Sequence, residues 1–175
     1  MSSKTNNTAN KITVIRMFLV PIFLILAYMG KTKVAVAVFV VATASDFLDG
    51  YIARNYNQIT VFGKFMDPLA DKILVLSAMC YFIEIGCMPG WAVAVVLFRE
   101  FAVSGLRLLA VQNNVVIAAA WSGKIKTGAT MVAIIVMMLF RCRAHDIAGT
   151  VVIVLTTVYS GVEYFIKNRQ VFANS

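Results

Sequence analysis

Four of the eight acidic residues of this chain fall within one 26-residue stretch: Asp46, Asp49, Asp67 and Asp71. On a helix, Asp46, Asp49, Gly50 and Ala53 stand at i, i+3, i+4 and i+7 and share one face, and Asp67 and Asp71, at i and i+4, share a face of the next helix. A tight turn between the two helices brings both pairs together. Gly50 and Ala53, poor in side chain, leave room beside the acids for a ligand to approach the backbone. Four carboxylates so placed repel one another unless cations stand between them, and hard divalent ions such as Mg²⁺ take oxygen ligands of this kind. Asp67 also has a purely structural reading, because an aspartate before Pro68 looks like a helix N-cap with proline in the first helical position. Asp46 and Asp49 have no such excuse: near the C-terminal end of their helix the macrodipole disfavours negative charge. Other chemistries are poorly supplied. His145 is the only histidine, and Cys80, Cys87 and Cys142 form no C-x-x-C pair, so zinc sites, Ser-His-Asp catalysis and a disulfide framework are not expected.

The elements that must hold these acids are membrane-spanning helices. The chain has 175 residues, 61% of them hydrophobic and 14% charged, with a mean hydropathy of +0.83. A water-soluble domain of this size cannot hide so much apolar surface in one core. Apolar runs predict six spans, at 12–28, 34–54, 67–85, 91–110, 121–140 and 147–166, each near the roughly 20 residues a helix needs to cross a bilayer. Gly30-Lys31, the polar stretch 55–63, Gly86 to Gly90 with Pro89, Gln112-Asn113-Asn114, and Arg141 to Asp146 punctuate them. The expectation is an all-α integral membrane protein with a short polar N-terminal segment, forming a single domain over 1–175. No room is left for a separate soluble domain, and no repeat is visible. No clean secretory signal precedes the first run, which Arg16 and Pro21 interrupt.

The net charge is +8 and the pI about 9.6. With the N-terminus in the cytoplasm, twelve of the sixteen basic residues fall inside and four outside, namely Lys31, Lys33, Arg141 and Arg143. The positive-inside rule therefore expects both termini, and the acidic cluster, on the cytoplasmic side. Part of the basic excess reads as topology and contact with anionic membrane lipids, with no nucleic-acid partner expected.

Asp46, Asp49, Gly50, Ala53, Arg54, Gly63, Asp67 and Asp71 together spell D-x-x-D-G-x-x-A-R-x8-G-x3-D-x3-D, which resembles the signature of the CDP-alcohol phosphatidyltransferase family. Eight positions at fixed spacing are matched without departure. The resemblance implies six transmembrane helices, a homodimer in a bacterial inner (cytoplasmic) membrane, and transfer of a phosphatidyl group from CDP-diacylglycerol to an alcohol with release of CMP. It implies that Asp46, Asp49, Asp67 and Asp71 hold two divalent cations, Mg²⁺ or Mn²⁺, and that Asp71 also serves as base toward the acceptor hydroxyl. It implies further that Gly50, Ala53, Arg54 and Gly63 line the CDP site. Asn10, Thr13 and Arg16 resemble the N-x-[IL]-T-x-x-R segment before the first span of many members, which would add Asn10 and Thr13 to the CDP site. That segment also reads as a helix cap followed by a positive-inside charge.

The signature leaves the alcohol open. Arg99-Glu100, Arg107, and Lys124 with Lys126 place five charges on the fourth and fifth spans. Snorkelling anchors account for some of them, but Arg99 sits near mid-span. Its neighbour Glu100 is not expected to face it, since adjacent helix positions point apart. A dianionic phosphate on the acceptor explains several cations aimed into one cavity; choline, ethanolamine, serine or free inositol would not need them. Arg107, Lys124 and Lys126, with Arg99 and Lys64, are the candidate phosphate ligands. These segments, with Gly63 to Lys72, are similar to those of the branch whose acceptor is sn-glycerol 3-phosphate. Inositol phosphate is the nearest alternative within the family. Outside it, the acids would serve a small cation or proton transporter, against which stand the missing repeat symmetry and the position of the acids near one face.

Overall fold

The computed structural model describes residues 8–55, 61–112 and 121–169, with side chains described at 14–45, 69–70, 72–110 and 121–169. Among the described residues there are six α-helices and no strand: α1 Thr8–Tyr28, α2 Thr32–Asn55, α3 Val61–Glu84, α4 Gly90–Gln112, α5 Trp121–Leu139 and α6 Arg143–Lys167. Each coincides with one of the six apolar runs. Two of them, α5 and α6, are long and apolar enough to cross a membrane among the described residues, and Val14–Tyr28 and Thr32–Ser45 are shorter apolar stretches.

The glycine punctuation has a backbone cause. Gly30 and Gly86 both lie in the left-handed region, at φ +73° and +75°, where a side chain would be strained. After α1, Gly30 N–H donates to Ala27 C=O at 3.1 Å and Lys31 N–H to Leu26 C=O at 3.0 Å; after α3, Gly86 donates to Ile83 at 3.0 Å and Cys87 to Phe82 at 2.8 Å. Both are Schellman closures, which satisfy carbonyls the helix end would otherwise strand.

The helix start that departs furthest from the expectation is that of α3. α3 begins at Val61, so Asp67 is its seventh residue and Pro68 its eighth. The N-cap reading of Asp67 is therefore overturned. The apolar and helix-compatible residues from Val61 to Met66 extend the helix by two turns ahead of the proline, whose missing N–H removes one bond without ending the helix. Asp67 is left with no capping duty to account for its charge.

The chain forms two compact units, Met1–Tyr81 and Phe82–Ser175. In the first, α1 and α2 pair closely. Ala35 and Ala42, both fully buried, keep α2 thin where Phe23 and Phe39 meet with ring centroids 5.6 Å apart. Tyr81 on α3 donates its hydroxyl to Ala27 C=O at 3.2 Å and packs edge-on against Tyr28. In the second unit α6 packs on both α5 and α4. Gly149 lets α5 approach so closely that an added Cβ would lie 2.6 Å from Met137 Sδ. Val103, Leu106 and Ala110 of α4 close around Tyr164 of α6.

The distribution of polarity is inverted relative to a soluble protein. Arg16 is 0% and Lys126 6% exposed, while Phe98 is 77%, Phe101 72% and Leu155 63% exposed. Burying cations while presenting large apolar side chains outward is the arrangement a hydrocarbon environment favours. Several hydroxyls on these helices bond back to their own backbone, as Thr43 does to Phe39 C=O, Thr130 to Lys126 C=O and Thr150 to Asp146 C=O, and these need no external partner.

Candidate functional site

The candidate carboxylates lie on α2 and α3. Asp46, Asp49, Gly50, Ala53 and Arg54 occupy the C-terminal part of α2, and Gly63, Lys64, Asp67 and Asp71 the N-terminal part of α3. Their helical placement preserves the expected i, i+3 and i, i+4 spacing. Their side chains lie outside the described residues, as do those of Asn10 and Thr13, which stand on α1. As a donor set, four carboxylates two to a helix suit hard divalent cations, which prefer oxygen ligands.

Next to the start of this set, across from Ser45, is a residue whose burial the sequence did not reveal. Arg16 of α1 is fully buried and its Nε lies 3.5 Å from Ser45 Oγ on α2. Ser45 in turn donates to Ala42 C=O at 2.7 Å and immediately precedes Asp46. A buried guanidinium is expensive unless paired, so Arg16 is a packed-in cation at the helix position before the first aspartate rather than a surface anchor.

Three helices of the second unit bring two of the candidate cations together. Glu100 Oε1 on α4 accepts from Arg99 Nη1 at 3.0 Å and from Lys126 Nζ of α5 at 2.7 Å. Adjacent positions on α4 thus do pair, contrary to expectation. Their Cβ atoms diverge, but the Arg99 side chain is long enough to curl back, and burial of both leaves little water to compete. Arg99 Nη2 donates to Ser160 Oγ of α6 at 2.6 Å, while its buried Nε finds no hydrogen-bond partner among the described residues. Gly161 makes room for it, since a Cβ there would stand 3.2 Å from Arg99 Cγ, whereas one at Gly123 would meet Nη2 at an ordinary 3.7 Å. The side chains of Arg99, Glu100 and Lys126 are 12%, 14% and 7% exposed, so these three form an internal polar group with one net positive charge among them.

The other candidate cations take different partners. Arg107 is exposed; its Nε donates to the Tyr164 hydroxyl at 3.0 Å, with the guanidinium 5.6 Å from the ring centroid. Lys124, also exposed, lies 5.1 Å from the centroid of Trp121, the pairing of a cation and an aromatic ring common at membrane interfaces. Among the five residues expected to bind a phosphate, the structure draws Arg99 and Lys126 together through Glu100. Arg107 is set on Tyr164, Lys124 on Trp121, and the side chain of Lys64 is outside the described residues.

Ser160, Gly161 and Tyr164, which seat the two arginines, were missed by the sequence reading. The available signal was a stripe on an otherwise apolar helix: Thr157, Ser160, Gly161 and Tyr164 stand at i, i+3, i+4 and i+7, and all four are buried.

Comparison with known proteins bears on both halves. Residues 6–161 match the CDP-alcohol phosphatidyltransferase family, a span that runs through both compact units. A Bacillus subtilis (strain 168) protein named CDP-diacylglycerol--glycerol-3-phosphate 3-phosphatidyltransferase is 40% identical over 97% of this chain and 98% of its own. A probable phosphatidylglycerophosphate synthase of Mycobacterium tuberculosis (strain ATCC 25618 / H37Rv) is 39% identical over 90% of this chain and 79% of its own. A Rickettsia typhi (strain ATCC VR-144 / Wilmington) protein with the same name as the Bacillus one is 32% identical over 91% and 95%.

Proposed function

The chain belongs to the CDP-alcohol phosphatidyltransferase family, and from that premise we propose that it transfers the phosphatidyl group of CDP-diacylglycerol to sn-glycerol 3-phosphate, giving phosphatidylglycerophosphate and CMP. The relatives' names support the reaction. The observation that carries the acceptor is the buried convergence of Arg99 and Lys126 on one point. A neutral or cationic alcohol would gain nothing from two cations placed in a low-dielectric bundle, whereas a phosphate dianion gains from both.

Asp46, Asp49, Asp67 and Asp71 would hold two divalent cations, Mg²⁺ or Mn²⁺, which when bound supply neutralisation of the diphosphate charge. The protein's own work is then largely positioning, because displacement at a diphosphate phosphorus needs alignment and charge balance more than covalent help. Gly50, Ala53 and Gly63 leave backbone accessible to the nucleotide, and Arg54, Asn10 and Thr13 offer it donors. Asp71 accepts the proton of the attacking hydroxyl. Arg99 and Lys126 hold the acceptor phosphate, with Arg107, Lys124 and Lys64 contributing charge toward it. Six spans with both termini and the site on the cytoplasmic side of a bacterial inner membrane fit the twelve-to-four charge bias, and a homodimer is the expected assembly.

The test is CMP release from CDP-diacylglycerol by the purified protein in detergent, with glycerol 3-phosphate and inositol phosphate as acceptors side by side. The expected result is release that requires glycerol 3-phosphate and Mg²⁺ or Mn²⁺. Preference for inositol phosphate, or release without any acceptor, would contradict the proposal.

A further inference from the structure

We infer that Glu100 is an internal competitor for the acceptor phosphate, which by occupying Arg99 and Lys126 sets how tightly the acceptor is held and how fast the phosphate-bearing product leaves. The inference rests on the assignment of those two cations to the acceptor phosphate.

A single oxygen, Glu100 Oε1, takes a charge-assisted hydrogen bond from each cation, at 3.0 Å and 2.7 Å. That is the position and the bonding pattern a phosphate oxygen would need. An entering dianion must therefore share the cations with a carboxylate, at a like-charge cost raised by burial, or displace it. The two cations are not equally free to move. Arg99 is held a second time by Ser160 Oγ at 2.6 Å and packed against Gly161, so it stays. Lys126 has a flexible four-carbon stem and three rotatable donors, so it is the group that turns from carboxylate to phosphate. Arg99 keeps Nε as a spare donor, buried and without a hydrogen-bond partner among the described residues, and a buried unpaired donor gains from any acceptor brought to it.

Such a competitor answers a difficulty in the reaction itself. The acceptor's phosphate survives unchanged in the product, so whatever binds one binds the other. Two uncompensated buried cations would hold the product as firmly as the substrate. A carboxylate that returns to Lys126 lowers both affinities together and hastens departure.

Glu100→Gln keeps a carbonyl oxygen of the same reach and removes the charge. In the full-length protein in detergent, with CDP-diacylglycerol saturating, the KM for glycerol 3-phosphate should fall about tenfold, the equivalent of one charge-assisted contact freed from competition. kcat should fall with it as product release slows, and the KM for CDP-diacylglycerol should not move. Inorganic phosphate, used as a competitive inhibitor, should become tighter by a similar factor, a gain that a merely damaged bundle does not produce. Glu100→Asp serves if the glutamine variant does not fold: its shorter carboxylate reaches one cation but not both, and acceptor KM should fall about threefold. Lys126→Met is measured alongside. An acceptor KM raised in Lys126→Met but unchanged or raised in the Glu100 variants overturns the competitor role alone. An acceptor KM unmoved by Lys126→Met overturns the phosphate assignment beneath it.

Discussion

Gly161→Ala isolates the placement of Arg99 from everything else in the second unit. The new Cβ would stand 3.2 Å from Arg99 Cγ, closer than carbon atoms ordinarily pack, so one of them gives way by a few tenths of an ångström. Arg99 is tied at its far end to Ser160 Oγ at 2.6 Å and to Glu100 at 3.0 Å, so the strain is transmitted to the guanidinium. Two stability effects oppose each other: overpacking costs about 1–3 kcal/mol, and replacing a mid-helix glycine returns about 0.5–1 kcal/mol. Thermal stability should thus fall only modestly. The acceptor should feel more, because a misplacement of about 1 Å can cost on the order of a hundredfold, and a few tenths scales to about three- to tenfold. Steady-state CMP release with glycerol 3-phosphate varied should show that rise in acceptor KM with CDP-diacylglycerol KM unchanged. Gly123→Ala is the control, since its Cβ would meet Arg99 Nη2 at an ordinary 3.7 Å and should leave KM alone. Native acceptor kinetics in Gly161→Ala, or equal damage in both variants, would refute the view that α6 seats Arg99 for the acceptor.

Asp46→Asn, Asp49→Asn and Asp67→Asn should each remove more than about nine-tenths of turnover, because each deletes a ligand and a charge from a shared two-metal site, while membrane insertion and extraction stay normal; retention of activity by any one argues against that site. Asp71→Asn should lose turnover yet still bind CDP-lipid in the presence of metal, measured by equilibrium binding. Arg107→Ala should weaken use of glycerol 3-phosphate by about tenfold or more if its fork reaches the phosphate, whereas unchanged kinetics would make it a structural partner of Tyr164 only. The Cys87 thiol, between α3 and α4, is pushed above the ordinary thiol range, first by burial and then by the Asp146 carboxylate that it meets, with Arg141 opposing. A raised value means less thiolate at any given pH, so in a Cys80→Ser/Cys142→Ser background maleimide labelling should be slow near neutrality and accelerate at alkaline pH beyond that of a free thiol. Rapid labelling at neutral pH would contradict it.

The ends of α1 and α3 were legible because the residues that follow them have a backbone reason to stop a helix. Gly30 and Gly86 lie at positive φ, a conformation their lack of a side chain permits. The start of α3 was misplaced by two turns because Asp67-Pro68 imitates a helix start, and a proline tolerated at the first position is also survivable one turn or two inside. The placement of the four acids on α2 and α3 could be read from spacing alone, since they are local on two helices. The cationic cluster could be read only in part. Arg99 meets Ser160, and Arg107 meets Tyr164, across 61 and 57 residues, and no local periodicity encodes which face of α6 turns to α4. The contact between Arg99 and Glu100 escaped because helix-neighbour rules describe Cβ directions and not the reach of a long side chain. Arg16 was left with two readings for a related reason: a cation near the start of a span suits both a surface anchor and a buried site, and its complete burial separates them.

Isotopic tracing observes directly whether the phosphatidyl group moves from CDP to glycerol 3-phosphate. Purified protein is incubated with CDP-diacylglycerol, Mg²⁺ and uniformly ¹³C-labelled sn-glycerol 3-phosphate, and lipids and nucleotides are quantified together by mass spectrometry. One labelled phosphatidylglycerophosphate is expected for each CMP released, with the label confined to the headgroup glycerol. CMP appearing with phosphatidic acid and no labelled lipid, or no CMP at all, would contradict it.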